Sequence, residues 1–175
     1  MALQVAGFCP YDLELNNRSI PNGDFLVQAF SGEGITGRQI MQWIGQAAGR
    51  FCRAAADGQV ELGWYENSAL QISPGGKVYY FQNGLQYEDY RVSPVEKVQI
   101  RLTDSDVGPV YPDTAGEVNT YIISGNYLLT AADPLALKPV AQTLYEQLRN
   151  VSYTPCKVEL PGDIEVCPGQ IVTIT

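Results

Sequence analysis

Two carboxylates held a few ångströms apart are the simplest apparatus for acid and base chemistry, and the chain offers two such pairs, Asp12 with Glu14 and Glu88 with Asp89. Set across a sugar ring, such a pair would do glycosidase work, one acid protonating the leaving oxygen while the other serves as base or nucleophile. Nothing in the sequence around either pair marks it as more than surface charge. The run Thr103-Asp104-Ser105-Asp106-Val107-Gly108 is superficially like the start of a calcium loop. It lacks the bidentate glutamate at the twelfth position and its glycine falls one place early, so it reads as a solvated turn.

The chain contains no histidine. That removes the usual general base, the common Ser-His and Cys-His nucleophile pairs, and every zinc or haem site that relies on imidazole. The cysteines are Cys9, Cys52, Cys156 and Cys167, and no two stand in Cys-x-x-Cys spacing, so neither a closed zinc site nor a redox dithiol is indicated. Free buried thiols are the first expectation, and a bridge between Cys156 and Cys167 across a turn is the second. No glycine-rich motif follows a strand and opens a helix, which leaves nucleotide binding without support. The residues imply no catalytic group, no cofactor and no metal.

The richest chemistry is aromatic. Tyr79, Tyr80, Phe81, Tyr87 and Tyr90 fall close together, and tyrosine joins a large apolar ring to a polar tip, which suits sugar stacking or protein docking. The plainer reading is that these rings alternate in and out of strands.

The 175 residues carry 11 basic and 19 acidic side chains, a net charge of −8. Direct nucleic-acid binding is not expected, because phosphate neutralisation needs clustered Lys and Arg. The N-terminal MALQVAGFCPYDLELNN has no basic region and no long apolar run, so it does not read as a signal peptide, and no window suits a membrane span. The strand-like end at Ile171 to Thr175 suggests a segment of something longer.

The elements that must position these groups begin with a helix over 37–48. Ile40, Ile44, Ala47 and Phe51 recur at helical spacing with Met41 and Ala48 beside them, while Arg38, Gln39, Gln42 and Gln46 fall on the other side. Thr36 suits the N-cap and Gly49 the left-handed C-terminal position. Gly45, in mid-helix, reads as close packing on the protein's own sheet, with approach of a partner backbone as the alternative. A type I′ turn at Asp57-Gly58 then predicts a hairpin whose second strand buries Val60, Leu62 and Trp64. This helix and hairpin should be the centre of the fold.

A punctuated stretch over 66–76 suggests a soft boundary, dividing the chain into an N-terminal part over 1–70 and a β-rich, barrel-like part over 71–175, or one compact unit. Upstream, residues 24–30 read as a short strand or a turn of helix. Downstream, strands are expected over 77–81, 95–102, 118–124, 156–160 and 170–174. Val98, Ile100 and Leu102 alternate with Lys97, Gln99 and Arg101, the mark of a sheet buried on one side. A second helix should start at Pro139 after a turn capped by Asp133 and end at Asn150, with Val140, Ala141, Leu144 and Leu148 inward. The expected class is α+β: a helix and β-hairpin unit packed with an antiparallel sheet or small barrel that carries a second helix.

In that order, the stretches TGRQIMQWIGQAAGRFCRAAADGQVELGWY, YEDYRVSPVEKVQIRLTDSD, NTYIISGNYLLTAADPLALKPVAQTLYEQL and PGDIEVCPGQIVTIT resemble a domain of bacteriophage and prophage tail hub proteins, the tail-tip or baseplate components sometimes described as tail-associated lysins. The resemblance covers most of the chain from Thr36 onward. In that family a helix and hairpin precede a strand with a Val-x-Ile-like run, a turn like Asn-Pro-Leu-Leu, another helix, and a closing strand after Gly-Asp. Here the turn is Asn126-Tyr127-Leu128-Leu129, with tyrosine where proline is common, and the last motif is Gly169-Gln170, with glutamine where aspartate is common.

The resemblance implies a non-enzymatic virion protein at the tail tip. Its partners would be identical subunits in a trimeric ring and other tail proteins, around the channel for DNA; an acidic lining would repel DNA and not trap it. Two other readings stand beside it. One is a carbohydrate- or receptor-binding β module resting on the tyrosines, and the other is a hydrolase using a carboxylate pair.

Overall fold

The computed structural model describes residues 20–29, 34–54, 60–72, 84–101, 107–130, 133–159 and 168–174. In chain order the elements are helix α1 (Gly37–Ala48), strands β1 (Phe51–Ala54), β2 (Val60–Gly63), β3 (Glu66–Ile72), β4 (Leu85–Tyr87), β5 (Lys97–Arg101), β6 (Val110–Tyr111) and β7 (Thr120–Ser124), a 3-10 turn (Pro134–Leu137), helix α2 (Lys138–Leu148), and strands β8 (Cys156–Val158) and β9 (Gln170–Ile174). The class is mixed α+β, with small antiparallel and mixed sheets and no closed barrel among the described residues.

Two compact units form, each from two stretches of chain: Met1–Gly63 with Pro94–Val151, and Trp64–Ser93 with Ser152–Thr175. A single cut after residue 70 therefore does not separate them. The physical reason is pairing between distant segments. In the second unit β3 pairs parallel with β9 and β4 antiparallel with β8, so the chain leaves the unit and returns to complete it. Glu66 to Ile72, expected as a punctuated connection, is the strand that receives β9. The strand expected over 77–81 lies outside the described residues.

Helix α1 begins and ends where its residues require. Thr36 Oγ1 accepts from Gln39 N, and the Gln39 side chain accepts in return from Thr36 N at 3.0 Å, a reciprocal capping box. At the other end Gly49 takes φ 60°, Gly49 N donates to Gln46 O, and Arg50 N donates to Gly45 O at 2.8 Å, the Schellman pattern. That turn explains Gly45: a β-carbon there would lie 2.8 Å from the Arg50 carbonyl oxygen and 3.8 Å from Leu62, so the close approach is to the chain's own return.

The hairpin differs in register from the expectation. Ala54 pairs with Val60, which leaves the odd number of residues 55–59 between them, whereas a two-residue turn at Asp57-Gly58 would set Ala54 opposite Glu61. All four residues of β2 are half-buried and Trp64 lies beyond the strand, so the hairpin has no cleanly buried face. The core is elsewhere. Val98, Ile100, Ile123, Leu129, Leu137, Val140, Ala141 and Leu144 form it, all 3% exposed or less, and it lies where α2 packs on β5 and β6, with Ile123 of β7 in the same cluster. β5 is the middle strand, antiparallel to β6 and parallel to β7, and Gln99 is buried along with Val98 and Ile100. A one-sided strand was expected; Gln99, on the face opposite Val98 and Ile100, is buried as well, and its amide is satisfied by donating to the Val107 carbonyl and accepting from Arg101.

Asp133 caps the turn before α2 by accepting from Leu135 N at 2.9 Å, and α2 follows with Val140, Ala141 and Leu144 buried and Leu148 half-buried. The stretch 25–29 has no regular secondary structure; its turn at Asn22 carries Phe25 against the core.

Asn126 joins these parts. It is 5% exposed, its Nδ2 donates to Trp43 O and to Gln46 Oε1 at 3.0 Å each, and its Oδ1 accepts from Leu128 N at 3.1 Å. Asn126→Leu removes both donors and the acceptor and leaves buried groups unsatisfied. The expected loss is about 2 kcal/mol of folding stability, read from urea unfolding as a lower midpoint at unchanged slope.

Candidate interaction surface

Among the tyrosines singled out by sequence, Tyr79 and Tyr80, with Phe81, lie outside the described residues. Tyr87 and Tyr90 are in the second unit and open to solvent, 66% and 61% exposed. Tyr87 stands on β4 opposite Cys156 of β8, and the ladder is extended by the Glu88 N to Pro155 O bond and by the bridge between Val92 and Tyr153. That bridge brings Tyr153, 49% exposed, to the same short ladder. Sequence distance concealed it: Tyr153 lies far from the other aromatics along the chain, and only the β4–β8 pairing joins them. Tyr87 and Tyr153 project from backbone that is hydrogen-bonded in the ladder, and Tyr90 lies on the connection between the two ladder segments, so ring surface and polar tips are available.

The first unit has a different surface. A shallow cleft of about 410 Å³ is lined by Pro94, Val95, Glu96, Val118, Tyr145 and Arg149, among others. Its charged groups are engaged within the chain. Arg149 Nε pairs with Glu146 at 2.9 Å and its guanidinium lies 6.0 Å from the Tyr145 ring centre, while Tyr145 meets Tyr111 edge to face at 5.5 Å. Glu96 accepts from Asn119 N at 3.1 Å, and Asn119 Nδ2 donates to Pro94 O at 2.8 Å. These contacts fix the shape of the cleft. Behind the turn at Asn22 there is also an apolar cavity of about 40 Å³ between that turn, α1 and Leu128 with Leu129, a space no larger than a water molecule or two.

Groups with acid, base or metal chemistry are scattered. No three His, Cys, Asp or Glu residues converge on a metal-sized site among the described residues. Glu88 and Asp89 are exposed neighbours on the turn after β4, and Asp12, Glu14, Asp104 and Asp106 lie outside the described residues. Cys52 and Cys156 are free thiols, so the Cys156–Cys167 bridge is not formed, and both are exposed where buried thiols were expected. Each sits on a short two-stranded ladder with little covering it. Cys9 and Cys167 are outside the described residues. No described helix is long and apolar enough to cross a membrane.

Titration is perturbed at two described groups in this surface and its support. Burial pushes the Tyr121 hydroxyl up, partly offset by its hydrogen bond with Gln46. Gln46 gives its Oε1 to Asn126, which leaves its amide N–H groups for the phenol oxygen. Partial desolvation also pushes the Cys52 thiol up, although the residue as a whole is exposed.

Compared with protein-family models, with characterised proteins and with solved structures, the chain finds no significant match in any of the three.

The raised thiol pKa fixes a sign. In the folded chain Cys52 keeps its proton to higher pH than in the unfolded chain, so its contribution to stability is present below the ordinary thiol range and is lost as pH rises through and beyond it. Alkylation by iodoacetamide at mildly alkaline pH should accordingly be slower at Cys52 in the folded chain than after urea unfolding, followed by mass spectrometry of the Cys52 peptide. Equal rates would remove the assignment.

Proposed function

We propose that the chain is a structural component of a phage or phage-like tail tip or baseplate hub, held in place by protein-protein contacts around the tail channel. One observation carries the reading. The pieces on which the resemblance rests fold as elements of the expected kind in the expected order: α1 and its hairpin, β5 with Val98-Gln99-Ile100, the turn at Asn126, α2, and β9 after Gly169. Within that order Asn126 does architectural work, clasping α1 to the end of β7. A family signature made of residues that hold elements together fits a protein whose task is assembly.

The role is non-enzymatic, the partners are identical subunits in a ring of three together with other tail proteins, and the location is the virion tail tip. Sedimentation velocity over a wide concentration range should give a mass that is a multiple of three chains. A mass that stays at one or two chains at every concentration would overturn assembly of the ring through these residues.

A second reading, a carbohydrate- or receptor-binding β module, is favoured by the exposure of Tyr87 and Tyr153 on one short ladder and of Tyr90 on the connection beside it. It expects saturable binding to purified cell-wall glycan that falls about tenfold or more in Tyr87→Ala combined with Tyr90→Ala, since loss of stacking area is loss of affinity. Wild-type protein that leaves the glycan unbound would end this reading.

A further inference from the structure

The three-stranded sheet of the first unit has two edges, and they are built differently. The edge at β6 has two residues, with Pro109 before them and Pro112 after. Proline has no amide hydrogen, so an incoming strand would find few donors there. The edge at β7 has five residues, parallel to β5 along its whole length, with no proline and no charge. Its outer side has no backbone partner among the described residues.

Exposed edge strands are ordinarily guarded by shortness, proline, a bulge or a charged side chain. β6 is guarded in this way and β7 is not. Along β7 Ile123 is fully buried, whereas Ile122 is 43% exposed and Ser124 is also open. An apolar side chain and a row of amides with no partner among the described residues therefore stand at the same edge.

The order of residues in β7 points to what covers it. Thr120-Tyr121-Ile122-Ile123-Ser124 runs hydroxyl, large apolar, isoleucine, large apolar, hydroxyl from either end. Antiparallel pairing with a second copy of the same strand, centred on Ile122, sets Thr120 opposite Ser124, Tyr121 opposite Ile123 and Ile122 opposite Ile122. Each is a favourable cross-strand pair: hydroxyl with hydroxyl, aromatic with β-branched, and β-branched with itself. The side-chain period of two then keeps Tyr121 and Ile123 of both copies on the core face and both Ile122 side chains on the other.

Charge agrees with this partner. Two chains of net charge −8 repel one another in general, but no residue from Val118 to Ala132 is charged. Beside β7 in register are Lys97 opposite Thr120 and Arg101 opposite Ser124, and the acidic group at the strip's start, the Glu96 carboxylate, is engaged by Asn119 N.

We propose that β7 pairs antiparallel with β7 of a second copy about a twofold axis at Ile122, joining two three-stranded sheets edge to edge. The contact is isologous and closes at two copies. It is independent of the tail-hub reading: a threefold ring that also used it would contain six chains.

The test is the solution mass of the full chain with Ile122→Lys and Ile122→Glu. Ile122 projects on the face away from the core, so the fold should survive either change, as thermal unfolding would check. The expected result is an even number of chains for wild type, half that mass for each variant, and restoration on mixing the two in equal amounts, because opposite charges then meet at the axis. Like charges face to face should raise the dissociation constant about tenfold or more. A wild type of one or three chains, a mass that neither variant changes, or a mixture that fails to recover would each overturn the pairing. Six chains falling to three would support both this contact and the ring, whereas three chains indifferent to Ile122 would leave the ring reading intact and remove this one.

Discussion

The last carbonyls of a helix have no partner inside it, and at the C-terminus of α1 the chain satisfies them from several directions at once. Gly45 O accepts from Arg50 N and Gln46 O from Gly49 N, both local. Ala47 O accepts from the Asn22 amide at 2.9 Å, and Gly49 O, two residues on, accepts from the Gln147 amide of α2 at 2.7 Å. One turn earlier the Asn126 amide donates to Trp43 O. Segments from before α1, from the end of β7 and from α2 are therefore tied to one helix end by neutral amides. Such groups donate and accept without the desolvation cost of a buried charge, which is why a partly buried junction can be made from them.

Around that junction the first unit divides its labour. The dry core joins α2 and the turn before it to the sheet, where Leu137, Ala141 and Leu144 cluster with Val98, Ile100 and Ile123 with no solvent exposure. α1 contributes Ile44 and Ala48 and, through Gln46, the polar contact to Tyr121 and Asn126. The first hairpin is half-buried along β2, and the part-buried ion pair of Arg53 with Glu61 spans its two strands.

The groups proposed to make contact are themselves uncharged. Aromatic rings stand on the β4–β8 ladder, the α1 surface carries Trp43 edge to face with the half-exposed Tyr127 at 5.3 Å, and β7 presents amides with isoleucine. In an acidic chain these neutral surfaces are where another molecule meets the least electrostatic opposition. Groups suited to acid-base or metal chemistry do not converge among the described residues, and a surface adapted to contact is the common feature of the readings advanced above.

Local rules determined α1 and its caps, the capped turn before α2, the inward stripe of Val140, Ala141 and Leu144, and the strands at β7 and β9, because each depends on residues a few positions apart. The sequence by itself also set the absence of imidazole chemistry and the acidic balance. Only the tertiary structure decided that β3 receives β9, that β5 is covered on both faces, that Tyr153 joins Tyr87, and that Asn126 is a buried clasp and not merely a turn residue. These depend on which distant segments share backbone hydrogen bonds, and a strand's alternation records which face is apolar but not which neighbour lies beside it.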